Sequence, residues 1–251
     1  MITALICCHK SGDVIEYALK QLVDSPAINR ILVADGPTQV FLKKGPFVES
    51  PTVKDVVDKI NSKKIIYEYS DNFSNRPSKN NSMLAKHVPR DTKWILNVDS
   101  DEVYHEKDLT RLAHFLTKDP EFDRYNIHTI DPYPDLDHQI FIEDFKPRLY
   151  RWIPGAVCPT GNDRLHQYIF HKDHKINSDD PKGMSFVPKK VCQFVHLNAI
   201  REPGGVSRIT KLEDGRVKWK GGKRTIESDV HDLNRNDLPK SLFNSDMKRP
   251  T

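Results

Sequence analysis

Short apolar runs alternate with helical patterns along the first hundred residues of the chain. The apolar runs have the length of strands, and each ends in polar residues: Ile2 to Cys8, Ile31 to Ala34, Ile65 to Tyr69 and Trp94 to Val98. Between them, apolar residues recur at helical spacing from Val14 to Val23 and from Val53 to Ile60, and residues 82 to 86 lie in a further predicted helix. This order predicts parallel neighbouring strands and an α/β fold.

Polar residues at the ends of three of these runs are the candidate chemistry. Cys8 and His9 end the first run, Asp35 ends the second, and Asp99 and Asp101 follow the fourth. Two aspartates one residue apart at the carboxyl edge of a sheet can offer oxygen ligands to a divalent cation that also bridges a substrate diphosphate. The alternative is a polar turn in which Asp99 hydrogen-bonds the backbone.

The three segments, taken in order, resemble the GT-A fold of glycosyltransferases and, within it, the large family 2. The resemblance covers residues 1 to 105. It implies a mostly parallel, Rossmann-like central sheet flanked by helices, a nucleotide-sugar donor and a divalent metal, Mn²⁺ or Mg²⁺. Cys8 and His9 stand where the family opens its nucleotide pocket. Asp35 stands for the acid that contacts the base, while Ala34 replaces a second family aspartate.

Further segments extend the resemblance and imply more substrate-binding residues. Lys79 and Asn80 fall near the family's Arg-Asn pair on the helix before the metal strand, where lysine keeps the charge but loses bidentate geometry. Arg148 lies in a segment similar to an Arg-Leu-Phe-Arg strand. His166 lies in a segment similar to Val-His-Glu, although Gln167 replaces the glutamate.

A later histidine completes the implied metal site. His196 lies in the apolar segment 193 to 197, and a neutral imidazole there can join Asp101 and Asp99, because manganese accepts nitrogen as well as oxygen ligands. The alternative for His196 is a core histidine on an apolar strand.

The resemblance also implies an acidic catalytic base after the metal strand. The candidates are Asp163, then Glu143 and Asp144. Asp163 follows a glycine-containing turn that would let a carboxylate approach the acceptor, but it would serve equally as a helix cap. Glu143 and Asp144 would serve equally as solvated charges before the Arg148 strand.

Length and composition predict one catalytic domain with an extension. Residues 1 to 200 form the predicted domain, with a donor half (1 to 105) and an acceptor half (106 to 200), followed by an extension over 201 to 251. A hydrophobic content of 37% and a charged content of 29%, with no apolar run near the ~20 residues of a membrane helix, are typical of a soluble protein. With four cysteines in no disulfide or zinc pattern, we expect a cytoplasmic protein.

The extension carries the excess positive charge of the chain. It holds 12 Lys and Arg against 8 Asp and Glu, and its densest part runs from Arg208 to Arg224 with Trp219 inside it. Such a mixture can bind a polyanion such as DNA. The polar stretch after Asp229 instead favours a solvated, mobile end that closes over the donor.

The sequence therefore predicts a metal-dependent transferase. It would move a sugar from a nucleotide sugar, with a UDP-sugar as the expected donor, to an acceptor hydroxyl with inversion. The acceptor is expected to be a saccharide or glycolipid, with a modified base in DNA as an alternative. Two other classes stay open, a nucleotidyltransferase and a non-enzymatic nucleic-acid-binding protein.

Overall fold

The computed structural model describes most of residues 1 to 197 and short parts of the extension. The described ranges are 1–38, 52–118, 122–132, 136–140, 145–158, 184–197, 209–211, 216–221, 224–228, 230–232, 238–239 and 242. No helix within these ranges is long and apolar enough to cross a membrane.

Four helices and fourteen strands are present in the described ranges. The helices are α1 (Gly12–Asp24), α2 (Val53–Ile60), α3 (Arg76–His87) and α4 (Glu106–Leu116). The strands of the first half are β1 (Ile2–Cys8), β2 (Ile28–Asp35), β3 (Ile65–Tyr69), β4 (Trp94–Asp99) and β5 (Glu102–Tyr104). Those of the second half are β6 (Arg124–Pro132), β7 (His138–Ile140), β8 (Phe145–Arg151), β9 (Met184–Phe186) and β10 (Gln193–His196). The extension contributes β11 (Ile209–Lys211), β12 (Val217–Gly221), β13 (Arg224–Ser228) and β14 (Val230–Asp232).

A large mixed sheet forms the centre of the molecule. Its main path runs β14-β7-β6-β8-β4-β1-β2-β3, and β1 pairs in parallel with both β2 and β4. The parallel pairing expected for the first strands is confirmed, as is the α/β class. Strand β8 runs antiparallel to β4 and β6, so the sheet is mixed beyond the donor half.

Helices pack against both faces of this sheet. Apolar residues of α1, α2 and α4 share one buried cluster with alternate residues of β1 and β4. The residues between them face α3, where Met83 and Leu84 pack with Leu5 and Ile95. The central strands are therefore buried on both sides, which explains why their sequences are continuous apolar runs rather than alternating patterns.

Strand pairing by β10 joins the two halves of the chain. Strand β10 pairs antiparallel with β5 and in parallel with β6, which sets His196 opposite Glu102 and Val195 opposite Val103. Residues more than 90 positions apart along the chain are thus brought to one edge of the sheet.

The extension is partly integrated into this fold. Strands β11, β12 and β13 form a separate antiparallel sheet, whereas β14 pairs with β7 of the main sheet. Leu238 and Leu242 are buried in a cluster with Val103 and Val195. The solvated, mobile end expected after Asp229 stays a prediction, because most of that stretch lies outside the described residues.

Candidate functional site

The predicted polar residues of β1, β2 and β4 meet at one edge of the sheet. In the parallel register Cys8 lies opposite Asp35, and Cys7 lies opposite Asp99. The carboxyl ends of the three strands therefore lie side by side, which is where open α/β sheets bind ligands.

Asp35 offers one unused acceptor at this edge. The residue is only 6% exposed, and its Oδ2 accepts a hydrogen bond from the Tyr67 hydroxyl at 2.8 Å. Its Oδ1 is buried and has no hydrogen-bond donor among the described residues. A buried acceptor without a donor costs about 1–3 kcal/mol, so a ligand group that supplies the missing donor would be favoured.

Lys79 and Asn80 lie beneath this edge on α3. The Lys79 ammonium donates to the carbonyl oxygens of Cys8, at 2.7 Å, and of Gly36, and burial lowers its pKa. Asn80 accepts a hydrogen bond from the Cys7 thiol at 3.1 Å. Both side chains are buried, so they hold the ends of β1 and β2 together, and their contact with a substrate stays a prediction.

His9 is half-buried, less enclosed than Cys8, and lies just beyond the end of β1. Burial, together with the positive charge of Lys79, lowers the pKa of its imidazole. A neutral ring at the opening of the edge is compatible with the predicted donor contact, which stays a prediction.

Asp99 is held by two arginines. Its Oδ1 lies 2.9 Å from Arg76 and its Oδ2 lies 2.6 Å from Arg148. Burial alone would raise the pKa of Asp99, but the two guanidinium groups outweigh it and keep the pKa below its ordinary value. Coordination of a metal by Asp99 stays a prediction, and it would compete with both arginines.

Arg148 also pairs with a second buried acid. Its Nε donates to Glu102 at 3.2 Å and its Nη2 at 2.5 Å, while Glu102 accepts from the Asp99 backbone amide at 3.2 Å. Arg148 has no exposed surface. It therefore supports the Asp99–Glu102 turn, and its predicted contact with substrate stays a prediction.

Asp101 and His196 are brought together by the pairing of β5 with β10. His196 Nε2 lies 3.7 Å from Asp101 Oδ2, and the Leu197 amide donates to the Asp101 carbonyl at 2.8 Å. The other ring nitrogen, Nδ1, lies 2.8 Å from Asp131 Oδ1 and 3.1 Å from Lys146 Nζ. Burial would lower the pKa of His196, but the hydrogen bond to Asp131 and the negative charges of Asp101 and Asp131 together outweigh it and raise the pKa.

This donor set fits a divalent cation in part. Two donors each about 2.1 Å from a cation lie within about 4.2 Å of each other, so the observed separation suits a shared ion. An imidazole that donates its other N–H to a carboxylate is the usual support for a metal ligand, and Asp131 is placed for that role. In the described ranges, however, no group of three or more His, Cys, Asp or Glu is arranged to hold a metal ion. The remaining ligands would have to come from substrate or water.

Several residues of the site were not expected from the sequence. Tyr67, Arg76, Glu102 and Asp131 contact the predicted residues directly. Arg76 could have been found from its place at the start of the helix that carries Lys79. The contact of Tyr67 with Asp35 gives no such signal, because it depends on the register of β2 and β3. Asp131 could not have been found in this way, because nothing local in the sequence relates it to His196.

Four predicted residues lie outside the described residues. They are the base candidates Glu143, Asp144 and Asp163, and the substrate candidate His166. Their roles stay predictions.

Comparisons with known proteins define the fold. No protein-family model and no curated protein matches the sequence. Among solved structures, S. aureus TarS 1–349, a GT-A glycosyltransferase, superposes with a TM-score of 0.50 at 14% identity, over 79% of this chain and 60% of that chain. The chain has a GT-A-like fold.

Two further structures are similar over smaller regions. TarS 1–349 in complex with UDP-GlcNAc has a TM-score of 0.42 at 18% identity, over 53% of this chain and 36% of that chain. A 4-diphosphocytidyl-2C-methyl-D-erythritol synthase from Anaerococcus prevotii has a TM-score of 0.39 at 15% identity, over 60% and 70% of the two chains. The chain spans less than two thirds of each TarS chain named here, and the GT-A-like fold is what the likeness shows.

Proposed function

We propose that this protein is a glycosyltransferase that moves a sugar from a nucleotide-sugar donor to an acceptor hydroxyl with inversion. The observation that carries the proposal is the placing of two unlike groups along one edge of a GT-A-like sheet. Asp35 offers a buried acceptor at the β2 end, and Asp101 with His196 offers a cation site at the β5 end. A nucleoside diphosphate sugar has a base at one end and a charged diphosphate next to the sugar, so it matches both groups.

A UDP-sugar is the donor we favour. TarS 1–349, which shares this fold, has been solved in complex with UDP and with UDP-GlcNAc. Asp35 would take the base, with Cys8 and His9 beside it at the end of β1.

Asp101 and His196 would hold Mn²⁺ or Mg²⁺, with Asp131 orienting the imidazole. When bound, such an ion neutralises negative charge that develops on a leaving diphosphate. Arg76 would add a positive charge beside Asp99 and Asp101. Its side chain pairs with Asp99 but stays 38% exposed, so it remains open to a ligand. The charges of the chain therefore favour departure of a phosphate group from this end of the site.

The acceptor hydroxyl needs a proton acceptor as it attacks the anomeric carbon. A carboxylate from the acceptor half would receive that proton, and Asp163 is our first candidate, before Glu143 and Asp144. We propose a saccharide or glycolipid as acceptor. The basic residues of the extension keep DNA as the alternative acceptor. Their excess of positive charge is small beside the roughly six to ten phosphate contacts of a tight DNA binder, which favours the saccharide.

Product analysis tests the proposal. The protein is incubated with UDP-, GDP- and CDP-sugars and Mn²⁺, and release of the nucleoside diphosphate is followed. Slow release of UDP from a UDP-sugar is expected. Release of pyrophosphate from a nucleoside triphosphate would indicate a nucleotidyltransferase instead, and neither product would indicate a binding protein.

The metal assignment is tested with Asp101→Asn. We expect donor hydrolysis to fall by roughly two or more powers of ten, and stabilisation by donor to lose its dependence on Mn²⁺, because the remaining imidazole is a single ligand. The matched control is Asp58→Asn on α2, where the aspartate is 60% exposed and, within the described ranges, pairs only with Lys54. Full activity of Asp101→Asn, or of the protein in excess chelator, would contradict the metal-dependent mechanism.

A further inference from the structure

We infer that Tyr67 determines which nucleobase this site accepts. Tyr67 holds the Asp35 carboxylate so that one oxygen alone faces the base, and this arrangement selects uracil. The inference rests on the proposed function, since it concerns the nucleotide of the donor.

The two residues lie on neighbouring parallel strands. Asp35 ends β2, and its register partner on β3 is Tyr69. Tyr67 lies two residues before Tyr69 and faces the same side of the sheet, because alternate residues of a strand share a side. The Tyr67 hydroxyl therefore reaches Asp35 Oδ2, at 2.8 Å. Because Asp35 is buried, this bond fixes Oδ2 as the engaged oxygen and leaves Oδ1 without a donor among the described residues.

The hydroxyl stays a donor over the working pH range. Burial, followed by the hydrogen bond to Asp35, raises the pKa of Tyr67 well above its ordinary value. The phenol therefore keeps its proton, and Oδ2 stays engaged.

The edges of the bases differ in what they present to a single acceptor. Uracil presents one ring N–H between two carbonyl groups, so one carboxylate oxygen satisfies its only donor. Guanine presents a ring N–H beside an amino group, a pair of donors that matches a carboxylate with both oxygens available. Cytosine presents an unprotonated ring nitrogen, which would face Oδ1 lone pair to lone pair. The wrong bases are disfavoured because they leave polar groups unpaired or opposed.

Binding of free nucleotides measures this selectivity. Affinities for UDP, CDP and GDP are determined by titration calorimetry with the wild type, Tyr67→Phe and the control Tyr69→Phe. Tyr69→Phe removes a hydroxyl from the same strand at a position that is 59% exposed. We expect the wild type and Tyr69→Phe to bind UDP roughly tenfold or more tightly than GDP or CDP. Tyr67→Phe should narrow the UDP-to-GDP ratio several-fold, because it frees Oδ2 for the second donor of guanine.

A second pair of variants tests whether Tyr67 sets the orientation. In Asp35→Asn, the Tyr67 hydroxyl can donate to the amide oxygen but not to the amide nitrogen, so the amide N–H should face the base. This variant should then prefer CDP to UDP, because an N–H suits the ring nitrogen of cytosine. In the double variant Asp35→Asn with Tyr67→Phe, the amide can turn over and the preference should be lost.

The outcomes separate this inference from the proposed function. Failure of the wild type to bind any nucleoside diphosphate would overturn both. Equal binding of the three nucleotides, or an unchanged UDP-to-GDP ratio in Tyr67→Phe, would overturn the role of Tyr67 and leave the glycosyltransferase proposal standing. Circular dichroism and thermal unfolding of each variant check that it is folded.

Discussion

Arg148 lies wholly inside the protein although it carries a full positive charge. Removing an ion from water costs several kcal/mol, and only close partners can offset that cost. Asp99 and Glu102 are such partners. Burial by itself would lower the pKa of Arg148, but these two acids outweigh it and raise the pKa. The turn that carries Asp101 therefore depends on a three-residue ionic group.

We predict that Arg148→Met lowers the free energy of unfolding by roughly 3–5 kcal/mol, because it takes the closest counterion from the fully buried Glu102 and one of two arginines from Asp99. Arg151→Met on the same strand is the control. Arg151 is partly exposed, bonds Asp123 at 2.7 Å and stacks on Trp94, so its loss should cost no more than about 2 kcal/mol. Urea unfolding measures both, and equal losses would contradict the ionic role of Arg148.

Strands β2 and β3 approach each other closely where β2 ends. Gly36 has a φ of +131°, and a Cβ atom at this position would collide with the carbonyl oxygen of Ser70. The Gly36 carbonyl also accepts from Lys79. The connection between Asp35 and the end of β3 therefore requires glycine for two reasons, its backbone angle and its lack of a side chain.

Gly36→Ala should accordingly destabilise the protein by about 2 kcal/mol or more and weaken UDP binding. Gly155→Ala is the matched control, since Gly155 also has a positive φ, +84°, but its added Cβ would meet no atom of a described residue within 4 Å. We expect the control to lose less stability than Gly36→Ala, because only its backbone angle is unfavourable, and to bind UDP normally. Thermal unfolding and calorimetry report the two effects, and a Gly36→Ala protein as stable as the control would show that β3 can move aside.

The strands and helices of the donor half could be predicted from the sequence, because each depends on the local pattern of apolar and polar residues. The apolar run before Asp99 could only be a buried strand, and the strand order followed from the helices between the runs. The contact of Tyr67 with Asp35 could not be predicted, because it depends on the register of two strands separated by a helix. The placing of Asp131 beside His196 depends on a pairing between β6 and β10 that no local pattern indicates.

On the scale of the whole molecule, two leucines of the extension pack beside the strands of the site. Leu238 and Leu242 are almost fully buried beside Val103, Val195 and Leu197, the last of which bonds the Asp101 carbonyl. The leucines thus cover the apolar side of the strands that present Asp101 and His196. The overall charge and composition of the extension do not reveal this contact, because only two leucines in a mostly polar stretch make it.

We predict that Leu238→Ala and Leu242→Ala each lower the free energy of unfolding by roughly 2–5 kcal/mol. A chain ending at residue 229 should also lose most of its Mn²⁺-dependent donor hydrolysis, because β5 and β10 lose their cover. A chain ending at residue 242 keeps both leucines and is the control. Normal stability and turnover of the shorter chain would show that the leucines are not needed.

The pairing of β10 with β5 has a consequence for the order in which the protein matures. Asp101 leaves the ribosome long before His196, and contacts between segments so distant in sequence form late in folding. A nascent chain that has already formed β1 to β4 would hold Asp35, the proposed contact for the base, but only half of the proposed cation site. The proposed activity would therefore appear in one late step, when β10 pairs with β5.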